Sequence, residues 1–370
     1  MRIAILTSSR ADYGIYLPLL KKLKKEPFFN LSLIVFGTHL SVSHGNTFKE
    51  IEKDGFEIEF KLNTVPEFDS PGAISDAIGE TIKLFSKFWM QQKDEFDLVF
   101  CLGDRYEMFA AVVAGIPLQI AFAHIHGGET TLGAIDNVFR HSITLASKFH
   151  FAATAMSAAR VKELISTNEN VYNVGSLSLD NLKKLNLLTI DEFKVKWGID
   201  LSKSTILTTF HPETVAMNKN ELFTGELIIA LKSLTGYQVL ITMPNADTLG
   251  SSVRRKLIEE FQYSEHVFLI ENLGSQSYFT AMKFCSYMLG NTSSGIIEAS
   301  SFGKYVINIG DRQKGRESGP NVIHTPIDAH AILQTVKDIE TFPNLRSVNI
   351  YYNGGAADKV IEVLHSTYIN

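Results

Sequence analysis

The sequence contains few cysteines: Cys101 and Cys285 are the only two in 370 residues. Each stands inside an apolar run. Two isolated cysteines form neither a disulfide framework nor the clustered spacing of a zinc site. We therefore expect a protein of a reducing compartment, the cytoplasm, with no metal centre.

The chain also lacks a long apolar run and an excess of positive charge. No apolar run reaches about 18 residues, the length that spans a bilayer. The opening MRIAILTSSR has only about six apolar residues before polar ones, too few for a signal peptide. The net charge is -5, and no dense Lys/Arg run is present. These absences argue against a membrane or nucleic-acid partner.

Apolar residues make up 45% of the chain and charged residues 20%, which is enough for a large core in two domains. Short Val/Ile/Leu/Phe-rich runs alternate with stretches of helical length, an order that predicts parallel sheets with helices on both faces. The predicted strands are 3–7, 31–36, 97–102, 118–123, 149–153 and 171–174, then 205–210, 238–243, 267–271, 287–289 and 305–309. The predicted fold class is α/β, with two Rossmann-like doubly wound parallel-sheet domains that face a cleft.

Domain boundaries follow from polar and glycine-rich breaks. The first domain is expected at 1–176 and the second at 177–351, with the polar stretch 176–183 as a hinge. The segment 352–370 reads as a C-terminal helix after the break at Gly354 and Gly355, and packing of this helix on the first domain is one option.

The segment from Phe100 to His141 is the part around which the chain is organised. It places charged and imidazole side chains at the ends of apolar runs, where ligands bind in an open α/β sheet. These residues are Asp104, Arg105, Glu107, His124, His126, Glu129, Asp136, Arg140 and His141. Helix capping by Asp104 and Asp136 is the alternative, but it leaves the other acids and the imidazoles unexplained.

Three further clusters follow predicted strands. Residues 7–14 offer a strand-to-helix turn in which Arg10 can pair with a phosphate, or else an exposed turn capped by Asp12. Residues 289–298 combine small hydroxyl residues, which a diphosphate can approach closely, with Glu298, which can accept hydrogen bonds from a ribose diol. A simple N-cap is the alternative, but it does not explain the whole segment. His211 and the basic run at 312–316 follow two more strands, although a His before Pro is often only a turn residue. Neither half has the glycine spacing of a dinucleotide fingerprint, so no cofactor is expected.

The residues alone thus favour a two-domain enzyme that binds an anionic ligand mainly through its second domain. A nucleotide-diphosphate sugar fits, because its diphosphate needs cations while its sugar needs acid and base groups.

The motifs resemble a known family. The segments SRADYG (9–14), GDRYE (103–107), HIHGGE (124–129), RHSIT (140–144), FHPET (210–214), GNTSSG (290–295) and NIGDRQKGR (308–316) look like those of the hydrolysing UDP-N-acetylglucosamine 2-epimerases of sialic-acid biosynthesis. The resemblance implies a glycosyltransferase B-type fold and the conversion of UDP-N-acetylglucosamine and water to N-acetylmannosamine and UDP. It also implies elimination of UDP to a bound glycal, followed by hydration with inversion at C2, and a homodimer or homotetramer.

The resemblance also implies roles for individual residues. Catalytic or active-site positions are matched by Asp104, Arg105, Asp136 and His211, and His126 and Glu129 are the further catalytic candidates. Positions that bind the UDP-sugar are matched by Arg10, Ser293, Glu298 and Arg312, and the further candidates for binding it are Arg140, Asn291, Ser294 and Gly295.

One position departs from the family pattern. Many relatives have Glu where this chain has His126, so either His126 transfers the proton or Glu129 supplies the carboxylate. Segment 130–135 is expected near the sugar and can alter sugar choice.

Other functions stay open at this point. The same chemistry on a UDP-2,4-diacetamido-2,4,6-trideoxyhexose, for legionaminic acid, is the first alternative. Non-hydrolysing epimerases, UDP-sugar-dependent glycosyltransferases and a non-catalytic nucleotide-sugar sensor are the others.

Overall fold

The computed structural model describes residues 1–42, 45–64, 69–244, 249–345 and 348–368. Its strands are β1 (Arg2–Thr7), β2 (Asn30–Phe36), β3 (Phe60–Leu62), β4 (Leu98–Leu102), β5 (Phe122–Ile125), β6 (Phe149–Ala152), β7 (Val171–Asn173), β8 (Thr205–Thr209), β9 (Gln238–Thr242), β10 (Val267–Ile270), β11 (Tyr287–Gly290), β12 (Val306–Ile309) and β13 (Val322–Thr325). Its helices are α1 (Arg10–Lys25), α2 (Phe48–Lys53), α3 (Pro71–Gln92), α4 (Tyr106–Gly115), α5 (Asp136–Ala146), α6 (Ala155–Ile165), α7 (Leu177–Lys184), α8 (Ile190–Trp197), α9 (Asn220–Ser233), α10 (Gly250–Phe261), α11 (Gly274–Phe284), α12 (Ser293–Ile297), α13 (Ala329–Glu340) and α14 (Ala356–Tyr368).

The chain divides into two compact units. The first comprises Met1–Glu129, Asp136–Lys183 and Tyr351–Asn370, and the second comprises Thr130–Ile135 and Lys184–Ile350. The boundary therefore falls after Lys183, later than the predicted boundary after 176. The segment Thr130–Ile135 groups with the second unit although both of its chain neighbours belong to the first.

The first unit is built on a seven-stranded sheet in the order β3-β2-β1-β4-β5-β6-β7. All of its pairings are parallel. The strand order reverses between β1 and β4, and in such sheets ligands bind beyond the carboxyl ends of the strands on either side of the reversal. The loops that follow β1 and β4 hold the SRADYG and GDRYE segments, so these two motifs lie where the sheet topology predicts ligand binding.

The two faces of this sheet are buried under different helices. Along β1, Ile3 and Ile5 belong to the apolar cluster on one face, which includes residues of α1 and α14. Ala4 and Leu6 belong to the cluster on the other face, which includes Trp89 of α3. This alternation is the period of two expected of a strand, and both faces are apolar because both are covered.

The stretch 176–183, which the sequence suggested as a hinge, is mostly helix α7. Its Asp180 is buried, and the two carboxylate oxygens accept hydrogen bonds from the backbone N–H groups of Ala356 (3.1 Å) and Ala357 (2.7 Å). These N–H groups open α14 and have no partner within the helix, so Asp180 caps it. Helix α14 packs beside α1, where Lys22 pairs with Asp358. Asp180 therefore serves an intramolecular cap, and a hinge at 176–183 stays a prediction.

The second unit is built on a six-stranded sheet in the order β10-β9-β8-β11-β12-β13. Its pairings are also parallel. The order reverses between β8 and β11, and the loops that follow these strands hold the FHPET and GNTSSG segments. Ile206 and Leu289 face one apolar cluster and Leu207 and Met288 face the other, so both faces are buried here too.

The predicted α/β class with two doubly wound parallel sheets is confirmed, and two local differences are instructive. The strand predicted at 118–123 begins later, at Phe122, because Ile116–Leu118 forms a 3₁₀ turn after α4 and Gln119 is left-handed. The short edge strands β3 and β13 were not predicted, since each has only a few partly exposed residues.

Candidate active site

The loop after β1 is organised by the buried carboxylate of Asp12. Its oxygens accept hydrogen bonds from Ser8 N (2.8 Å), Ser8 Oγ (2.8 Å), Ser9 N and the Thr7 hydroxyl. Burial raises the pKa of Asp12, but its contacts with His39, Thr7 and Ser8 outweigh burial and hold the pKa below its ordinary value. Asp12 thus fixes the turn from which Arg10 opens α1.

The loop after β4 presents Asp104 and Arg105. Gly103 has φ +76°, a left-handed conformation that favours glycine. Its carbonyl accepts a hydrogen bond from His124 Nε2 at 2.9 Å. The guanidinium of Arg105 donates to both carboxylate oxygens of the fully buried Glu107, at 2.9 and 3.1 Å. Each group of the GDRYE segment therefore has a fixed direction before any ligand binds.

His124 is a neutral structural group. Burial lowers its pKa to about 3, although the hydrogen bond to Gly103 works in the opposite direction. With Nε2–H donated to Gly103, the other ring nitrogen accepts from the hydroxyl of Thr144 at 3.1 Å. This imidazole holds the backbone beside Asp104 and does not titrate near neutrality.

Arg140 joins the acidic groups of the first unit. It lies on α5, is 2% exposed, and its guanidinium pairs with Asp104 and with Glu129 (3.0 Å). Burial lowers its pKa, but the negative charges of Asp104, Glu129 and Asp136 outweigh burial and raise the pKa. Asp136 opens α5 and is half-buried. The structure thus gathers three of the predicted acidic residues around one buried cation.

His126 lies at the end of β5 with φ +64°, a left-handed conformation that is uncommon for a residue with a side chain. Its Nδ1 is 2.8 Å from Glu129 Oε1, and its Nε2 is 3.4 Å from the hydroxyl of Ser176. The His126 carbonyl accepts from Arg140 at 3.2 Å. The predicted pair His126 and Glu129 is therefore in direct contact.

The two glycines between His126 and Glu129 are required by close packing. A Cβ on Gly127 would lie 2.9 Å from His124 Nδ1, and a Cβ on Gly128 would collide with the carbonyl of Ser157. Gly128 also has φ +78°. The tight turn that brings Glu129 back to His126 has no room for larger residues.

In the second unit, Asn291 connects two of the predicted loops. Its Oδ1 accepts from the backbone N–H of His211 at 2.7 Å, and its Nδ2 donates to the His211 carbonyl at 2.8 Å. Asn291 is fully buried, so its amide positions the backbone of His211. The ring of His211 is 5% exposed and lies at the end of β8.

The GNTSSG loop leads directly into the short helix α12. Gly290 lies so close to the carbonyl of Thr209 that a Cβ would collide with it, and a Cβ on Gly295 would lie 2.9 Å from Val306. Ser293 and Ser294 at the start of the helix are partly exposed. Glu298, one turn on, is 6% exposed.

The loop after β12 is attached to the FHPET segment. Glu213, which is 3% exposed, accepts from the backbone N–H of Asp311 at 2.6 Å. Gln313 donates to the carbonyl of Asn291 at 2.9 Å. Arg312 lies between these anchored neighbours and is partly exposed. The three loops of the second unit therefore form one hydrogen-bonded group.

Segment Thr130–Ile135 contacts the same loops through its backbone. Leu132 N donates to the Lys314 carbonyl (3.0 Å), and Ile135 N donates to the hydroxyl of Thr214 (2.8 Å). A Cβ on Gly133 would lie 2.6 Å from Arg312 N. Beside this segment a cavity of about 460 Å³ is lined by Gly310, Asp311, Lys314, Gly315, Arg316, His324, Thr325 and Pro326.

Comparison with known proteins identifies the family of this chain. The family model described as UDP-N-acetylglucosamine 2-epimerase matches residues 21–365. The chain belongs to the UDP-N-acetylglucosamine 2-epimerase family.

Two relatives with different names have the same sequence identity to this chain. The chain is 33% identical to the "UDP-N,N'-diacetylbacillosamine 2-epimerase (hydrolyzing)" of Legionella pneumophila, over 100% of this chain and 98% of the relative. It is also 33% identical to the "Polysialic acid biosynthesis protein P7" of Escherichia coli, over 98% of this chain and 93% of the relative.

A solved structure of a 2-epimerase shows the same fold. The UDP-GlcNAc 2-epimerase of Neisseria meningitidis, crystallised with UDP-GlcNAc, superposes with a TM-score of 0.84 and covers 99% of this chain and 100% of its own. Sequence identity over this superposition is 19%, so the likeness establishes the glycosyltransferase B-type fold alone.

Two residues that hold the candidate site together were not recognised from the sequence. Glu213 is a buried carboxylate that anchors the loop after β12, and Asn220 accepts a hydrogen bond from the backbone N–H of Glu213 at 2.8 Å. Glu213 stands two positions from His211, and that nearness is the signal that finds it, whereas Asn220 has no such signal. Within the described residues no helix is long and apolar enough to cross a membrane, and no cluster of His, Cys, Asp and Glu is arranged for a metal ion.

Proposed function

We propose that this protein is a hydrolysing UDP-N-acetylglucosamine 2-epimerase that converts UDP-N-acetylglucosamine and water to N-acetylmannosamine and UDP. The observation on which the proposal depends is the ion-paired group of Asp104, Glu129 and His126 around the buried Arg140, in a member of the 2-epimerase family. Such a group combines proton acceptors and donors with a fixed cation, as acid-base chemistry at a sugar carbon needs.

The reaction is proposed in two steps. First the C2 proton is removed while the C1–O bond breaks, and the electron pair of that bond leaves with UDP to give a glycal. Then water adds its hydroxyl to C1 and C2 receives a proton on the opposite face. Asp104, Asp136 and one member of the pair His126 and Glu129 are the proposed acid-base groups of the first unit. Arg105 and His211 are proposed to stabilise developing charge.

The nucleotide is proposed to bind through the other set of residues. Arg10 and Arg312 are cations suited to the diphosphate, and Asn291, Ser293, Ser294 and Gly295 form a loop of small residues that a diphosphate can approach closely. Glu298 is suited to the ribose diol. Arg140, which the sequence suggested as a ligand for the substrate, is 2% exposed and holds Asp104 and Glu129, so we propose that it acts through them.

The substrate has a second candidate. The Legionella relative supports a UDP-2,4-diacetamido-2,4,6-trideoxyhexose, which would place the protein in legionaminic-acid synthesis. The Escherichia coli relative supports a role in sialic-acid synthesis.

Both sugars should be offered separately, with UDP release measured continuously and the free sugar identified by proton NMR. A kcat/KM at least tenfold higher for UDP-N-acetylglucosamine, with N-acetylmannosamine as product, supports the first candidate. The opposite preference supports the second. Binding of UDP with turnover of neither sugar contradicts both.

A further inference from the structure

Glu129, His126 and Ser176 form a continuous hydrogen-bonded series in the first unit. Glu129 Oε1 is 2.8 Å from His126 Nδ1, and His126 Nε2 is 3.4 Å from Ser176 Oγ. Ser176 Oγ is in turn 3.0 Å from Ser178 Oγ. All four residues are buried, so this arrangement is shielded from water that would compete for its hydrogen bonds.

The carboxylate of Glu129 is committed to two donors. One oxygen faces His126, and the other accepts from Arg140 NH1 at 3.0 Å. A proton added to Glu129 would remove an acceptor that a buried guanidinium or the imidazole requires, and an unpaired buried charge is costly. These contacts make Glu129 a poor group for carrying a proton to and from a sugar.

The imidazole of His126 is positioned from three sides. Its backbone N–H donates to the Phe151 carbonyl at 3.0 Å, its own carbonyl accepts from Arg140, and Nδ1 faces Glu129. When Nδ1–H donates to a carboxylate, the neutral ring has its lone pair on Nε2. In this tautomer the Nε2 lone pair is the site that can accept a proton.

We propose that His126 is the proton-transfer group at this position and that Glu129 is a positioning residue that fixes its tautomer. The inference rests on the proposed function. As the C1–O bond to UDP breaks, Nε2 of His126 takes the proton from C2, the C2–H electron pair forms the double bond of the glycal, and UDP departs with the C1–O pair. Glu129 pairs with the imidazolium that results.

The left-handed backbone of His126 makes a decisive variant possible. At φ +64° glycine is favoured, so His126→Gly removes the ring without straining the turn and leaves a space the size of an imidazole. We expect kcat to fall roughly 100-fold or more, as for loss of a general base. Added imidazole should restore turnover in a saturable way, with the KM for the UDP-sugar little changed. His126→Asn, whose side chain tolerates the same φ, is the control that imidazole should not restore.

Glu129 is tested by a matched pair of measurements. Glu129→Gln should lower kcat, retain UDP binding, and not respond to imidazole. In Glu129→Ala, acetate should give no recovery, because the carboxylate only positions another group. Failure of imidazole to restore His126→Gly, or recovery of Glu129→Ala by acetate with full activity in His126→Asn, would overturn the proposal.

A measurement that needs no activity separates this proposal from the proposed function. In ¹⁵N-histidine NMR, with the His126 signals assigned by their loss in His126→Asn, the wild-type ring should be the Nδ1–H tautomer. Glu129→Gln should shift it towards the Nε2–H form. An Nε2–H tautomer in the wild type would contradict the role of Glu129 whether or not the protein turns over a UDP-sugar. An inactive wild type with the expected tautomer would refute the proposed function, and with it proton transfer by His126, but not the role of Glu129 in fixing the tautomer.

Discussion

Replacing Arg140 by methionine is expected to destabilise the first unit by about 3–5 kcal/mol. Methionine fits the length of the side chain but removes the positive charge. The carboxylate of Glu129, 2% exposed, then loses the cation that balances its charge, and the partly exposed Asp104 loses its guanidinium. Breaking a buried ion pair from one side is costly because the remaining charge stays out of water.

The magnitude follows from the difference in exposure between the two carboxylates. The side chain of Asp104 is 24% exposed and can be solvated after the change, so most of the cost arises at Glu129. Adding Glu129→Gln to Arg140→Met should recover part of the loss, because no buried ionised carboxylate then remains at that position.

The assay can report on the first unit alone. The chain has two tryptophans, Trp89 in the first unit and Trp197 in the second. In a Trp197→Phe background, urea unfolding followed by fluorescence monitors Trp89. Lys83→Met is the control, since Lys83 and Glu80 form an exposed pair at 3.7 Å that contributes only about 0.3–0.5 kcal/mol. A loss in Arg140→Met no larger than in this control would refute the account of the buried cluster.

Three further changes have defined outcomes. Gly133→Ala should raise the KM for the UDP-sugar several-fold in steady-state assays, since the added Cβ would displace the backbone at Arg312. Gly225→Ala is the control: an added Cβ there meets nothing within 4 Å, so this variant should leave KM unchanged and be neutral or slightly stabilising in urea unfolding. Asn291→Ala should cost about 1–3 kcal/mol of second-unit stability, measured through Trp197, because two His211 backbone groups lose their partner. His124 stays neutral in the folded protein but gains a proton in the unfolded chain below about pH 6.5, so the free energy of unfolding falls by about 1.4 kcal/mol per pH unit between pH 6.5 and 3 on account of this residue. His124→Gln should reduce the slope of the free energy of unfolding against pH in this range, and an unchanged slope would contradict the assignment.

The sheet architecture was predictable because most strands are buried on both faces. A run such as Leu98–Leu102 has to be apolar at every position, which is visible in the sequence. The edge strands β3 and β13 lack that constraint and were missed. The cap that Asp180 of α7 provides for α14 could not be predicted, because the residues that it binds lie far along the chain.

The places of the motifs in the fold could be predicted, but the contacts between their side chains could not. The motifs follow strands, and parallel strands bring their carboxyl ends to one edge. The pairing of Arg140 with both Asp104 and Glu129 depends on how α5 packs, and no spacing rule reveals it. The contact between His126 and Glu129 depends on a left-handed residue that sequence patterns do not identify.

The most direct test of the proposed chemistry is the reaction in deuterated, ¹⁸O-enriched water with UDP-N-acetylglucosamine, analysed by mass spectrometry and proton NMR. We expect UDP without ¹⁸O, because the C1–O bond breaks, together with N-acetylmannosamine that carries deuterium at C2. Release of UDP that contains ¹⁸O, or of a sugar that retains its original hydrogen and configuration at C2, would contradict the elimination and hydration mechanism.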